Sequence, residues 1–447
     1  MIKSMKEAED LVYHSYIRAI GNIKERDDAK VRRPELTREL FQSLHSPDQG
    51  QKYILVTGSK GKGSTTRMIS SLLAHLGYKV GMFSSPHLVH FNERIRINGK
   101  AISDEDFIRL SNQILEPVQA IEKQLPPDHY LGPIGINLAI AVLYFKENET
   151  DINVIECGRG GRFDDANILQ NEYAVITPIM EEHLPDLGPK LENIVFHKTG
   201  IVKPDTKAVY ISEQIGTLSM IKENLKRLPA EKKVFYNQDF LANHVSLNSN
   251  GTSFNIQTSM ASYQNLSLPL LGNFQAVNAA TAVKVCEDII DEAIPYETLL
   301  QCFQLLQWPG RCEIIDHNPT VILDGAINRQ SALYLQDVLH SIGSRKVVSI
   351  IGVPADKDYK GVIRVISEFS EKVIITKPDI SHKIFPDDAG EYAKSLLSSS
   401  CATNLLVDAI TLAKEEPDVD TILIAGTQTL IANAKRLWHQ SLIDIGL

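Results

Sequence analysis

Cysteine and tryptophan are scarce in this chain. The five cysteines (Cys157, Cys286, Cys302, Cys312 and Cys401) are scattered, odd in number and without C-x-x-C spacing. That excludes a paired-thiolate zinc site and a disulfide framework, and predicts buried thiols in a reducing compartment. No apolar run is long enough to span a membrane, and the first ten residues, Met-Ile-Lys-Ser-Met-Lys-Glu-Ala-Glu-Asp, lack the apolar stretch of a signal peptide. Basic residues are in deficit, with 46 Lys and Arg against 55 Asp and Glu for a net charge of −9, so there is no electrostatic footprint for nucleic acid. No G-x-G-x-x-G follows a strand pattern, which sets aside a dinucleotide-dependent dehydrogenase. Internal repeats and low-complexity segments are also missing. These absences predict a cytoplasmic protein without membrane or nucleic-acid partners; a monomer is the separate expectation.

What is present is an alternation. At 447 residues the chain suits two to three domains by the rough prior of about 150 residues each. Residues 1–50 read as helical and charged, with Asp27, Asp28 and the Lys30–Arg33 cluster in a loop. Strand patterns at 53–57, 80–83, 152–156, 173–177 and 207–211 alternate with helical ones, among them the apolar Leu138–Phe145. This predicts an α/β fold with a doubly wound, mostly parallel sheet. The stretch 235–272 is rich in Asn, Ser and Thr and carries an Asn250-Gly251 turn signal, predicting a small antiparallel flap. Beyond a linker signal at Trp308-Pro309-Gly310 the alternation restarts, with strands expected near 321–325, 347–352, 372–376, 404–407 and 421–425. The expected division is 1–300, a hinge at 301–312, and a smaller Rossmann-like α/β domain at 313–447, with a cleft between the two.

The densest signal is Tyr53-Ile-Leu-Val-Thr-Gly-Ser-Lys-Gly-Lys-Gly-Ser-Thr65. An apolar strand runs into a loop holding Gly58, Ser59, Lys60, Gly61, Lys62, Gly63 and Ser64. Behind it Met68, Ile69, Leu72, Leu73 and Leu76 share one helical face, and Gly77 ends it. Strand, glycine loop and helix form the setting in which backbone N–H groups cradle phosphate. The loop departs from G-x-x-x-x-G-K-[ST]: Val56 stands at the opening glycine and Gly63 is additional. Lys62 can reach a terminal phosphate as a point charge, and Ser64 or Thr65 can cap the helix or touch Mg²⁺. The bland alternative is a glycine turn with two solvated lysines.

In open parallel sheets ligands bind beyond the carboxyl ends of the strands. Ser84 and Ser85 follow the second strand pattern, Glu156 ends the third, and Thr177 and His183 follow the fourth. Four consecutive strands thus each deliver a polar group to one edge. Arg311, at the linker, has the planar fork that clamps phosphate in a bidentate way. The structural alternatives are specific: Glu156 paired with Arg159 or Arg162, Ser85 as a turn hydroxyl, His183 as a solvated loop residue beside Glu181 and Glu182, and Arg311 and Asp324 as an interdomain ion pair.

The loop resembles the V-x-G-T-N-G-K-G-[ST] signature of folylpolyglutamate and dihydrofolate synthases, a branch of the Mur ligase superfamily. Further segments are similar in the same order: Ser85-Pro-His-Leu88, Asn92-Glu-Arg-Ile95, Glu156-Cys-Gly-Arg-Gly-Gly-Arg-Phe-Asp164, His183, Lys198-Thr-Gly-Ile-Val-Lys-Pro204, Trp308-Pro-Gly-Arg311, Asp324-Gly-Ala-Ile-Asn328 and Ala355-Asp-Lys-Asp358. The resemblance spans about 53–358. It implies ATP and Mg²⁺ as cofactors, with Ser85, Glu156 and His183 as metal ligands. It further implies Asn278 on the adenine side, Asp324 as a nucleotide contact, and Lys198 as a lysine that becomes carbamylated. The implied reaction is ligation: ATP phosphorylates a carboxylic acid, and the amine of an amino acid, glutamate by family analogy, attacks the acyl phosphate. The second class of function is a non-ligase P-loop NTPase serving as a switch or regulatory binder.

Several family positions are altered. The T-x-F-E-x-x-T segment that contacts the pterin corresponds to Gly132-Pro-Ile-Gly-Ile-Asn-Leu138, with Gly135 at the glutamate. His197 stands at a glutamate, Phe274 and Ile327 at histidines, and Arg329 at a proline. The nucleotide half of the pattern is kept and the acceptor half is not, so the acid is either a folate held differently or not a folate.

Overall fold

The computed structural model describes residues 1–248, 250–379 and 383–447. Its larger sheet contains β1 (Tyr53–Thr57), β2 (Val80–Phe83), β3 (Ile95–Ile97), β4 (Lys100–Ala101), β5 (Ile152–Glu156), β6 (Tyr173–Ile176), β7 (Ala208–Ile211) and β8 (Lys232–Phe235). The order is β4-β3-β2-β5-β1-β6-β7-β8. The run from β2 to β8 is parallel, and β3 and β4 add an antiparallel edge. The central strands are apolar throughout because helices cover both faces. Ile54 and Val56 point into one core, with Met68, Leu72 and Val283. Tyr53 and Leu55 point into the other, with Val12, Leu138 and Val142.

The helices follow the sequence periodicity, with informative exceptions. The first are α1 (Met5–Ile20), α2 (Asp28–Val31), α3 (Pro34–Ser43) and α4 (Lys62–His75). Next come α5 (Asp104–Glu122), α6 (Pro133–Glu147), α7 (Leu191–Thr199), α8 (Leu218–Lys226), α9 (Asn273–Ile290) and α10 (Tyr296–Gln304). The charged stretch expected as a loop contains α2, because Asp27 caps it by accepting from the Ala29 N–H. Asp28 in that helix is buried. Neither Ser64 nor Thr65 caps α4. The N-cap is Gly61, at φ 83°, a left-handed conformation in which only glycine is free of Cβ strain. The apolar stripe of α4 is one face of a helix buried from Ser64 to Ala74. Its polar side is covered by residues 441–447: Arg67 Nη2 donates to the carbonyls of Ile445 (2.9 Å), Gly446 (3.0 Å) and Leu447 (2.9 Å).

The flap is a three-stranded antiparallel sheet, β9 (Phe240–Asn248), β10 (Gly251–Thr258) and β11 (Ser262–Leu268). Ser249, within the expected flap, lies outside the described residues. The second sheet contains β12 (Arg311–His317), β13 (Thr320–Asp324), β14 (Val347–Gly352), β15 (Lys372–Ile375), β16 (Cys401–Ala402) and β17 (Thr421–Gly426). Its order is β12-β13-β17-β14-β15-β16. The strand expected at 404–407 is a correction. The strand is β16, and Leu406 opens a helix, because Leu406, Ala409, Ile410 and Ala413 bury one face at helical spacing. The interval 301–312 is also shorter than a free linker. Helix α10 runs to Gln304 because Leu299, Cys302 and Phe303 are buried in the core beneath α4, and Arg311 already belongs to β12. Four cysteines are buried and Cys401 is half-buried; all five are free thiols.

Candidate active site

The strand order makes neighbours of the four strand ends picked out by the sequence: β2, β5, β1 and β6 lie side by side. The loop after β1 is fixed by its surroundings. Thr177 Oγ1 donates to the Lys60 carbonyl at 2.6 Å, and the Ser59 and Lys60 N–H groups donate to the Pro178 carbonyl. Ser59 Oγ donates to the Met180 carbonyl at 3.0 Å. A Cβ on Gly61 would come 2.8 Å from Asn278 Oδ1, so α9 presses directly on the loop. Thr65 Oγ1 donates to the same Asn278 oxygen at 3.3 Å, and Asn278 Nδ2 donates to Gln275 Oε1 at 3.2 Å. The first-turn N–H groups of α4 have no intrahelical acceptor and carry the positive end of the helix dipole. Ser64 lies in that turn and is buried.

Two lysines converge on one carbonyl. Lys62 Nζ donates to the Gly58 oxygen at 2.8 Å and Lys198 Nζ donates to it at 2.7 Å. Lys198, fully buried in α7, also pairs with Glu182 Oε1 at 2.7 Å. Burial, with neighbouring Lys62, lowers the Lys198 amine to about 8 against the opposing pull of Glu182. Burial pushes the Glu182 carboxyl up, but Lys198 and Lys62 outweigh it and the net shift is downward. Sequence reading missed Glu182 as a partner of Lys198; beside Glu181 in a polar loop, it gave no signal.

Glu156 is buried at the end of β5, and one of its oxygens, Oε2, accepts the Ser85 N–H at 3.1 Å. Burial raises its pKa, opposed by Lys62, the Ser85 N–H, Arg311 and Arg94. It is not paired with Arg159 or Arg162. Arg159 bonds Asp28 and Asp186, and Arg162 donates to the Phe196 carbonyl. The structure therefore brings Ser85 and Glu156 together beside α4. His183 stays at the loop surface, its side chain half exposed, with Nε2 4.0 Å from Glu182 Oε2. Burial lowers its pKa, against Glu182. Among the described residues no three His, Cys, Asp or Glu groups gather as a metal-holding cluster.

The second sheet reaches the same place. Arg311 and Asp324 are register partners on β12 and β13, so they are not the two sides of an interdomain pair. Asp324 Oδ2 accepts the Cys312 N–H at 3.0 Å. The charges of Arg311 and Asp324 both act on Lys60, and that of Arg311 acts on Glu156 as well. The cleft thus has cations and carboxylates from both sheets around one helix N-terminus.

At the acceptor side, a Cβ on Gly135 would overlap Thr37 Oγ1 of α3, and one on Gly132 would overlap Asp165 Oδ2. Thr37 Oγ1 donates to Asp165 Oδ1 at 2.7 Å, and Asp165 accepts the Gly135 N–H at the start of α6. Beside them Arg32 joins Asp28 (3.3 Å) and Asp164 (3.1 Å). The Thr37–Asp165 and Arg32–Asp164 contacts join residues more than a hundred positions apart, and no local spacing announces them.

A strand–glycine loop–helix at the carboxyl edge of a parallel sheet, beside a second α/β sheet, defines a P-loop-type α/β protein. The Mur ligase middle domain matches residues 56–286, and the Mur ligase glutamate ligase domain matches residues 310–428. The chain belongs to the Mur ligase family. It is 29% identical over 407 residues to the dihydrofolate synthase/folylpolyglutamate synthase of Bacillus subtilis, covering 89% of this chain and 93% of that protein. To the folylpolyglutamate synthase of Lacticaseibacillus casei it is 28% identical over 354 residues, covering 76% and 80%. The structure of Mycobacterium tuberculosis folylpolyglutamate synthase complexed with ADP and AMPPCP superposes with a TM-score of 0.83 at 26% identity, covering 96% of this chain and 99% of that one. The enzyme class is that of ATP-dependent ligases that join an acid to an amino acid through a C–N bond. No helix among the described residues is long and apolar enough to cross a membrane.

Proposed function

We propose that this chain uses ATP to convert a carboxylic acid to its acyl phosphate and couples it to an amino acid, glutamate by analogy with its relatives. The observation that carries the reading is the convergence on α4: two lysines on the Gly58 carbonyl, buried Glu156 beside the helix start, and Arg311 and Asp324 from the second sheet. In this reading Gly58–Ser64 wrap the phosphates, Lys62 offsets charge on the transferring phosphoryl group, Asn278 lies on the adenine side, and Arg311 and Asp324 complete the nucleotide site on closure. Ser64, Ser85, Glu156 and His183 are the proposed Mg²⁺ ligands. A hydroxyl, a carboxylate and an imidazole, with phosphate oxygens and water, suit an octahedral magnesium shell, and Glu156 keeps an oxygen clear of the Ser85 bond. Bound magnesium would neutralise phosphate charge. Closure of the second unit about residues 305–310, the core of the proposed 301–312 hinge, excludes water that would hydrolyse the acyl phosphate. We further propose a cytoplasmic monomer.

One observation bears on the acid. The helix start that would meet a pterin is filled by the protein's own Thr37 and Asp165, so the reading favours a carboxylic acid other than a classical folate. A coupled ADP-release screen tests both parts. Dihydropteroate, tetrahydrofolate and unrelated carboxylic acids are crossed with amino acids. Release that needs an acid and an amine together is the expected result. Steady ATP hydrolysis indifferent to both would favour the NTPase-switch reading, and turnover of dihydropteroate with glutamate would restore a folate acceptor.

Lys198 carries a separate prediction. With its amine lowered to about 8, the free base that captures CO₂ grows as pH rises through that value. Carbon-13 bicarbonate should give a carbamate resonance that is stronger at pH 8.5 than at pH 7 and missing in Lys198→Ala. Stripping bicarbonate should lower kcat. No carbamate signal at pH 8.5 would leave Lys198 as a cationic tie between Gly58 and Glu182.

A further inference from the structure

The additional glycine of the loop, Gly63, has a physical cause on the far side of the cleft. A Cβ there would lie 3.1 Å from Trp308 Cζ2, 3.5 Å from Trp308 Nε1 and 3.4 Å from Glu156 Oε2. The indole edge of a residue in the segment between α10 and β12 is therefore laid directly on the first turn of α4, beside the buried carboxylate. The indole N–H is enclosed by protein and has no acceptor among the described residues. Enclosed donors are ordinarily paired, and an unpaired one is costly. The other tryptophan follows the rule: Trp438 Nε1 donates to Asp316 Oδ2 at 3.0 Å.

We propose that Trp308 contacts the nucleotide and positions it: when the 305–310 segment moves as the second unit closes, the indole N–H is uncovered and donates to a phosphate oxygen of the nucleotide seated at the first turn of α4. The proposal rests on the nucleotide-site reading above and adds a contact to it. Because Trp308 lies in the short segment joining the two sheets, the same side chain reports to the phosphate site how the second unit is placed. Gly63 is the notch that lets the ring approach, which accounts for the break in P-loop spelling.

Trp308 and Trp438 are the two tryptophans of the chain, so Trp438→Phe leaves Trp308 as the single fluorophore in the full-length protein. Titration with Mg-AMPPCP should change its emission saturably. By calorimetry Trp308→Phe, which keeps an aromatic side chain and removes the donor, should weaken Mg-AMPPCP binding about tenfold, the scale of one hydrogen bond to a charged group, with a nearly unchanged melting temperature. Gly63→Ala should weaken binding to a similar degree, and the double variant should lose less than the sum of the two. If the Trp438→Phe protein binds Mg-AMPPCP by calorimetry while Trp308 emission and Trp308→Phe affinity stay as they were, the proposal is overturned and the nucleotide site stands. A lower melting temperature with intact affinity in Trp308→Phe also overturns it, in favour of a packing role. If the wild-type protein does not bind Mg-AMPPCP, the proposal and the reading beneath it fall together.

Discussion

Lys62→Ala is expected to lower kcat for acid- and amine-dependent ADP release by about 10³-fold, with the melting temperature nearly unchanged. A cation placed at a transferring phosphoryl group is worth roughly 10³–10⁵ in rate, and loss of one preorganised transition-state donor costs roughly 10²–10³. Lys62 is the first residue of α4, partly exposed, and its ammonium is held by the Gly58 carbonyl at the mouth of the loop. It is thus poised to swing from that carbonyl to a phosphate oxygen. The fold should tolerate the loss. Gly58 keeps a second donor in Lys198, and changes at partly exposed positions usually stay within about 0.5 kcal/mol. Coupled ADP release and a thermal melt on the same sample check both halves. A rate within a few-fold of wild type would remove Lys62 from the chemistry.

The second large effect is at Glu156, where stability and activity should move in opposite directions. Glu156→Gln is expected to reduce activity by about 10²–10³-fold, on the scale of a lost transition-state charge contact, and to abolish the response of the melting temperature to Mg²⁺ with nucleotide. Without ligands the variant should melt higher than wild type at neutral pH. The direction follows from linkage. Burial raises the carboxyl pKa in the folded state, so at neutral pH the folded protein holds a carboxylate that is more comfortable in the unfolded chain. Glutamine removes that cost while keeping an oxygen for the Ser85 N–H. As pH falls through the raised folded value towards that of an ordinary glutamate, wild type becomes neutral as well and the advantage of glutamine vanishes. Melting curves from pH 4 to 8, with and without Mg-ADP, test this. A variant that melts lower than wild type at pH 7, or that keeps the Mg²⁺ response, would place Glu156 in a structural role.

Both residues were within reach of sequence reading because their placement is local. A glycine loop after an apolar strand puts Lys62 at a helix start, and a carboxylate that ends a buried parallel strand can only emerge at the ligand edge. The helix stop at Gly77, the β9–β11 flap and most strands of the second sheet follow the same logic of period and punctuation. The strand expected at 404–407 failed because Leu406 and Val407 fit either period, and only burial of Leu406, Ala409, Ile410 and Ala413 on one side settles a helix. The Glu182–Lys198 pair, the Thr37–Asp165–Gly135 packing and the Trp308–Gly63 contact had no sequence pattern to announce them.

The sequence by itself determined the α/β class and the phosphate loop, since each rests on backbone periodicity or on residue types at short, fixed spacing; the ligation chemistry came with the family its ordered motifs resemble. The tertiary structure alone decided which groups meet. It set β5 between β2 and β1, so that Ser85 and Glu156 became bonded neighbours. It laid the 441–447 segment over Arg67, and so buried the polar side of a helix that reads as amphipathic. It also closed the start of α6 with Thr37 and Asp165. Those outcomes depend on packing between segments separated by tens to hundreds of residues, where the free energy of burial is shared by many side chains and no single spacing records it.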